Sequence, residues 1–378
     1  STELSRLRAA GNVQWKSATD ARTAEGTEMI IVGPQDAARL TLIGAPARIV
    51  DGESFLVGSV VMFEPATDTA RVEGEGRLRA FQPAEGDAPP RRIDVAWKDG
   101  IDVDGPNDRA TVRGGVVATT PAADGAIQSA RGQTVTLLLS PRQPAPVAAN
   151  AAAPNLNPAP PAPATRQTVS TPFEGREVRQ VVFDGEVDLG SQLTDAAGAM
   201  LRRMHLLSPR ATFDVARRIL TVPVAGRMLY EDRRPAPADA ARADDPFSDM
   251  RGTTAFQWKT QLVYSESERL ARLEGEVTIV HQRADEAPVR LNAETVTAEF
   301  EDTPIDAVAK DDKPREQSLS LKRVIAEQQV QVTAPRARFS AARVEYNPAT
   351  GQMIATGSPD APGELFDEQG VGQGSFES

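Results

Sequence analysis

One short phrase, a small or polar residue, a spacer and a valine, is written five times in this chain. The copies are Gly11-Asn12-Val13, Gly114-Gly115-Val116, Gly185-Glu186-Val187, Gly275-Glu276-Val277 and the variant Gln328-Gln329-Val330. A second phrase, apolar-any-small-any-any-valine, partners it at Leu56–Val61, Ala130–Val135, Leu291–Val296 and Phe339–Val344. Recurrence of this kind constrains the fold before any single residue does, because one repeat cannot bury its apolar face alone and must stack on its neighbours. Much of the intervening sequence alternates at period two, as in Val277-Thr278-Ile279 and Val330-Gln331-Val332, which is the pattern of half-buried strands.

The turns repeat as well. Phe63-Glu64-Pro65-Ala66-Thr67 runs eleven residues on to Gly74, Tyr346-Asn347-Pro348-Ala349-Thr350 runs the same distance to Gly357, and Tyr264 does so to Gly275. An aromatic ends the strand, proline presets φ in the turn, and a glycine marks a bend or bulge in the returning strand. Only Asp195–Met204 offers a short helix, with strand from Met200 onward as the alternative. The expected fold class is therefore all-β, built of repeated antiparallel hairpins. Aromatics make up only 5% of the residues, so the apolar inventory of Val, Leu, Ile and Ala suits a thin interior between sheets.

The Pro/Ala/Asn stretch over residues 142–168 has no apolar period and reads as a disordered linker between a unit at 1–141 and another at 169–378. Residues 233–249 and 302–316, rich in Pro, Asp and Ala, read as loops inside the second unit.

Net charge and composition exclude several functions. A formal charge of −11 argues against a nucleic-acid partner, which would need clustered Lys and Arg. There is no cysteine, so no disulfide, thiolate metal site or cysteine nucleophile. No run of about 18 apolar residues exists for a membrane helix, and no basic, apolar leader opens the sequence. His205 and His281 lie 76 residues apart without a metal-ligand pattern around them and read as surface or edge residues. Asp99, Asp102 and Asp104 lack the later glutamate of a calcium loop and read as a solvated strand edge. Glu301, Asp302, Asp311 and Asp312 fall in or beside a loop, which suits no glycosidase pair. No nucleophile elbow and no phosphate cradle is present, so neither an enzyme nor a cofactor is expected.

Four stretches carry a resemblance to the OstA-like family of lipopolysaccharide-transport proteins. They are the opening run Arg6–Trp15, its internal counterpart Arg323–Val332, the strand pair Arg336–Gly357, and Leu40–Ala47 followed by Leu56–Gly74. The resemblance implies an open β-jellyroll, or β-taco, of two facing sheets. It also implies an exported, periplasmic location, with no signal segment in this sequence. The partner it implies is lipopolysaccharide or a related glycolipid, whose acyl chains lie in the apolar interior. Other envelope lipid-transport components, or further copies of the chain end to end, would join through edge strands.

By period two, Val61 shares a face with Phe63, and Val344 with Tyr346; Val13 and Trp15, Val277 and Ile279, and Val330 and Val332 line the partner strands. Leu56, Leu291 and Phe339 have the opposite parity to the closing valines Val61, Val296 and Val344, and join their face only if a bulge intervenes. From the residues alone, this set reads equally as packed core or as ligand contact; the resemblance favours lipid. Arg338 and Arg343 are candidate partners for lipid phosphates, in competition with a plain solvent-facing role. The rival reading of the whole chain is a structural or adaptor β-scaffold of the cell envelope. A polysaccharide-binding solenoid ranks behind both, because Trp15, Trp97 and Trp258 are scattered in sequence.

Overall fold

The structure is a computed structural model that describes residues 6–17, 22–34, 38–82, 90–122, 125–141, 176–234, 251–283, 286–302, 319–335, 337–358, 363–367 and 374–376. The segment 142–168 lies outside the described residues, as does almost all of 233–249 and 302–316. The chain opens with β1 (Arg6–Lys16), β2 (Arg22–Val32), β3 (Arg39–Asp51) and β4 (Ser54–Glu64). The shorter β5 (Thr69–Glu73), β6 (Gly76–Gln82), β7 (Arg91–Trp97) and β8 (Gly100–Asp104) follow. Long strands return with β9 (Arg109–Pro121), β10 (Ile127–Pro141), β11 (Arg176–Thr194) and β12 (Met200–Asp214). Next come β13 (Ile219–Val222), β14 (Gly226–Asp232), β15 (Gly252–Trp258) and β16 (Gln261–Ser265). The chain continues through β17 (Leu270–Gln282), β18 (Val289–Asp302), β19 (Leu319–Thr333) and β20 (Ala337–Asn347) to β21 (Gln352–Thr356), β22 (Gly363–Asp367) and β23 (Gly374–Phe376).

The protein is all-β, made of antiparallel hairpins, and no α-helix occurs among the described residues. Of the two readings of Asp195–Met204, the strand from Met200 holds and the helix does not: a turn leads into β12. Asp195 Oδ1 accepts the amides of Ala197 and Ala199 at 2.9 and 2.8 Å, a side-chain turn that competes with helix formation.

Two compact units are interleaved along the chain. One comprises Ser1–Arg79, Ala96–Gly114 and Thr136–Gln180; the other comprises Ala80–Val95, Gly115–Val135 and Val181–Ser378.

The chain also carries an internal duplication. The pairings β4–β5, β4–β6, β5–β8, β7–β9 and β8–β9 recur as β12–β13, β12–β14, β13–β16, β15–β17 and β16–β17. Leu56, Phe63, Val72 and Gly76 stand 150 residues before Leu206, Phe213, Val222 and Gly226. Trp97, Val112, Gly114, Val116 and Val135 stand 161 before Trp258, Leu273, Gly275, Val277 and Val296. The offset lengthens between β14 and β15, where the second copy has the longer connection.

The tryptophans expected to be scattered are therefore partly equivalent. Trp97 Nε1 donates to Gly74 O at 3.1 Å and Trp258 Nε1 to Val224 O at 3.0 Å. Both rings are buried, each against a glycine (Gly76 or Gly226) where a Cβ would collide with the indole.

The Gly-x-Val phrase is a β-bulge. The register shifts between Ala10 and Val13, between Glu274 and Val277, and between Glu327 and Val330. Backbone φ is left-handed at Gly11, at Gly114 and Gly115, at Gly185 and Glu186, at Gly275 and Glu276, and at Gln328 and Gln329. Two residues on the bulged strand then face one on its neighbour. From Leu273 to Val277 is four residues, and their partners Val296 and Ala293 are three apart; Ala326 and Val330 face Val344 and Ala341 in the same way. In Leu291–Val296 and Phe339–Val344 the second phrase is the complement of the first. Ala293 and Ala341 face the bulge valines Val277 and Val330, and Val296 and Val344 face Leu273 and Ala326, two residues before the bulge. In Leu56–Val61, Gly58 faces Ala47 instead.

The hairpin turns share one device. An αL residue stands five positions after the aromatic or its equivalent: Asp68, Asp108, Arg218, Arg269 and Gly351. In four of these turns the first turn side chain caps a backbone amide: Asp104 that of Asn107, Asp214 that of Arg217, Ser265 that of Glu268, and Asn347 that of Thr350.

Candidate functional site: apolar rows across the strands

Cross-strand pairing turns the two phrases into rows running perpendicular to the strands. In the unit containing Val181–Ser378, one row reads Val222–Leu262–Leu273–Val296–Ala326–Val344–Ala355. Two residues further from the bulges, a second reads Phe213–Leu220–Tyr264–Ala271–Ala298–Val324–Tyr346–Met353. On the other side of the bulges a third reads Leu206–Met228–Phe256–Ile279–Leu291–Val332–Phe339. Every member of all three rows is apolar.

The unit containing Ser1–Arg79 repeats the scheme. Its rows are Ala9–Met29–Leu42–Val61–Val72–Ile101–Val112, Leu7–Ile31–Leu40–Phe63–Ala70–Val103–Ala110, and Trp15–Ala24–Ile49–Leu56–Leu78.

The parity conflict of Leu56, Leu291 and Phe339 is resolved by the bend. On β18, buried Ala293 and Val296 lie three residues apart, so the inward face changes parity across Glu294. Leu291 and Phe339 therefore pack against the same buried cluster as Val296 and Val344, and Leu56 shares its row with Trp15.

Burial is graded along these rows. Val61, Val277, Val296, Val330, Val332 and Val344 are closed off from solvent, and Tyr346 nearly so. Val13, Leu56, Phe63, Ile279, Leu291 and Phe339 are half-buried, while Trp15 at the end of its row is 42% exposed. Removing each large apolar side chain from water is worth about 1.5–3 kcal/mol, so the valine spine beside the bulges is held closed by its own packing. The residues beyond it retain exposed apolar surface. Met228, Phe256, Leu220 and Tyr264 belong to this set and were not singled out from sequence as wall residues. Their strands are short and interrupted, which hides the period, although the pair Phe256 and Trp258 was a usable signal.

Charged side chains occupy the alternate face. Arg343 pairs with Glu327 and, at 3.4 Å, with Glu345; Arg323 pairs with Glu299 at 2.5 Å and Glu345 at 3.2 Å. The Arg323 hydrogen bond holds the Glu299 carboxyl below its ordinary range. Arg343 is thus engaged by carboxylates, whereas Arg338 is exposed. Asp102 pairs with Arg71 at 3.4 Å and with Arg113, and Asp104 caps its turn.

His281 is a correction: it is buried, because period two places it on the same inward face as Val277 and Ile279, and its Nδ1 lies 2.8 Å from Thr254 Oγ1 across the pair. His205 is half-exposed, 3.2 Å from Asp188. Near them, burial pushes the Asp232 carboxyl up, but hydrogen bonds and charge from Arg234 outweigh it and leave the group lowered. Among the described residues no group of three or more His, Asp or Glu could hold a metal ion.

Fold and site together define an all-β protein of repeated hairpins with strand-crossing apolar rows. No family model and no curated protein matches the chain.

Proposed function

We propose that this protein shelters the acyl chains of a lipopolysaccharide-type glycolipid and conducts them along its apolar rows through the cell envelope. The observation that carries this reading is the continuity of the rows. Seven or eight successive strands contribute only apolar side chains to these rows, and Leu220, Tyr264, Met228, Phe256, Ile279, Leu291 and Phe339 remain half-buried, whereas Leu206 and Tyr346 are closed. A track perpendicular to the strands suits a long flexible chain better than a compact ligand. β1 pairs with β2 at the start of the ladder and exposes Leu7 and Trp15, which suits extension by another strand. No cofactor and no catalytic step enters this function, and transport would be driven by a separate component. Of the two candidate phosphate ligands, Arg338 is exposed, whereas Arg343 is engaged by Glu327 and Glu345.

The scaffold reading is favoured by one specific observation, the closed packing of Val277, Val296, Val330 and Val344. Photocrosslinking separates the two. A photoreactive residue at Phe256 or Ile279 should trap glycolipid in isolated envelopes, while one at outward-facing Arg272 should not. Equal or absent trapping at all three, with no glycolipid retained in native mass spectra, would leave the scaffold.

A further inference from the structure

One strand of the unit containing Ser1–Arg79 departs from the alternation of its repeats. On β4 the inward Leu56, Val61 and Phe63 belong to the apolar rows, yet the outward Phe55, Val57, Val60 and Met62 are apolar as well. Ile43 of β3 faces Val60, Val50 faces Phe55, and Ile30 of β2 joins Met62 across Thr41. The outward side of β2–β4 thus carries a patch of half-buried apolar side chains.

The other copies of the second phrase supply the control. At the positions equivalent to Phe55, Val57, Val60 and Met62, β18 carries Arg290, Asn292, Thr295 and Thr297. The same positions on β20 are Arg338, Ser340, Arg343 and Glu345. Asn292, Thr295 and Thr297 are half-buried just as Val57, Val60 and Met62 are, so the setting is the same outward one. The repeat folds with polar residues there, and its own packing does not call for the apolar set of β4.

Arginine predominates at one end of the patch. Arg48 and Arg77 flank Val57 across the ladder, and Arg79 stands opposite Phe55. The Arg48 and Arg79 guanidinium groups lie over the Phe55 ring, 5.8 and 5.1 Å from its centroid. Of the carboxylates nearby, Glu28 is paired with Arg8 at 2.6 Å, Glu73 with Arg71 at 3.3 Å, and Glu25 stands opposite Arg48.

We infer that this face docks on an anionic lipid bilayer. An apolar sheet face with arginines beside it suits a bilayer, where aliphatic side chains enter the boundary between headgroups and acyl chains. Guanidinium groups that cover Phe55 in water can turn to lipid phosphates on their long stems and uncover the ring. A second copy of the chain fits poorly, because a two-fold contact sets one arginine-rich patch against another. The patch lies on the opposite face of the sheet from the apolar rows, so the inference does not depend on glycolipid in them.

The test uses the full chain and sedimentation with vesicles of phosphatidylcholine, alone or with about 30% phosphatidylglycerol. The protein should sediment with the mixed vesicles, remain in solution with the neutral ones, and be released by ~0.5 M salt. V57N/V60T/M62T installs the residues of β18 and leaves the inward rows intact. It should stay folded by circular dichroism and lose about tenfold or more in partitioning. R48Q/R77Q/R79Q should lose the preference for phosphatidylglycerol. Because the chain contains no cysteine, V57C and N292C can each carry a single environment-sensitive dye. The dye on V57C should shift to the blue on mixed vesicles, and the dye on N292C should not. No sedimentation with mixed vesicles, equal partitioning by V57N/V60T/M62T, or equal dye shifts at the two positions would overturn the inference. So would self-association that this variant abolishes in the absence of vesicle binding, which would assign the patch to a second copy.

Discussion

The bulge glycine of β17 offers the sharpest test of how this fold is specified. Gly275 has φ +84°, and a Cβ there would meet Thr260, whose Cβ and backbone nitrogen would both lie 2.8 Å away. Thr260 cannot retreat, because its amide is bound to Glu274 O at 3.0 Å, beside Lys259 N on Gly275 O at 2.7 Å. Gly275→Ala therefore combines about 1–2 kcal/mol for the left-handed backbone with about 1–3 kcal/mol for overpacking. The expected loss is roughly 2–5 kcal/mol. The equivalent position on β19 is Gln328, at φ 66°. There Gln328→Gly removes the steric cost and returns some chain entropy, for a net gain of about 0.5–1 kcal/mol. Urea and thermal unfolding, followed by tryptophan fluorescence and circular dichroism, read both variants. At about 2–4 °C per kcal/mol for a unit of this size, the two midpoints should move in opposite directions. A neutral Gly275→Ala, or a destabilising Gln328→Gly, would refute the assignment of the phrase to a strained bulge.

Four further outcomes are expected. Leu273→Ala, in the closed row, should cost about 2–5 kcal/mol in urea unfolding, and half-buried Ile279→Ala distinctly less. Trp97→Phe and Trp258→Phe each remove one indole hydrogen bond to a carbonyl and should lose about 1–2 kcal/mol apiece; a large inequality would count against the duplication. Because the Glu299 carboxyl is lowered by Arg323, its contribution is complete above the ordinary glutamate value of about 4.3 and fades as pH falls through its lower folded value. Wild type and Arg323→Gln should therefore converge in stability on acidification below about pH 4.3, and a gap unchanged down to acid denaturation would contradict the pairing. Finally, Arg338→Glu should reduce glycolipid crosslinking, whereas Arg343→Glu should first disturb its contacts with Glu327 and Glu345; identical crosslinking in wild type and R338E would remove the phosphate role.

The sequence by itself determined the all-β class and the places where strands bend. Those features are local. Period two follows from the pleat, and Gly275-Glu276-Val277 carries its conformational preference wherever it sits. The aromatic turn at Tyr346-Asn347-Pro348 is legible for the same reason, since Asn347 caps an amide three residues away. Period two placed His281 on the face of Val277 and Ile279, but that the face is covered there depends on the strand that carries Thr254. The parity of Leu291 was not legible, because it follows from a change of inward face across Glu294 that only the paired strands reveal. Register was decided by tertiary structure alone. It aligned Met228, Phe256, Ile279 and Leu291, from four separate stretches of chain, into one apolar row. Those contacts depend on which strand lies beside which, and neighbours along a single strand do not encode that.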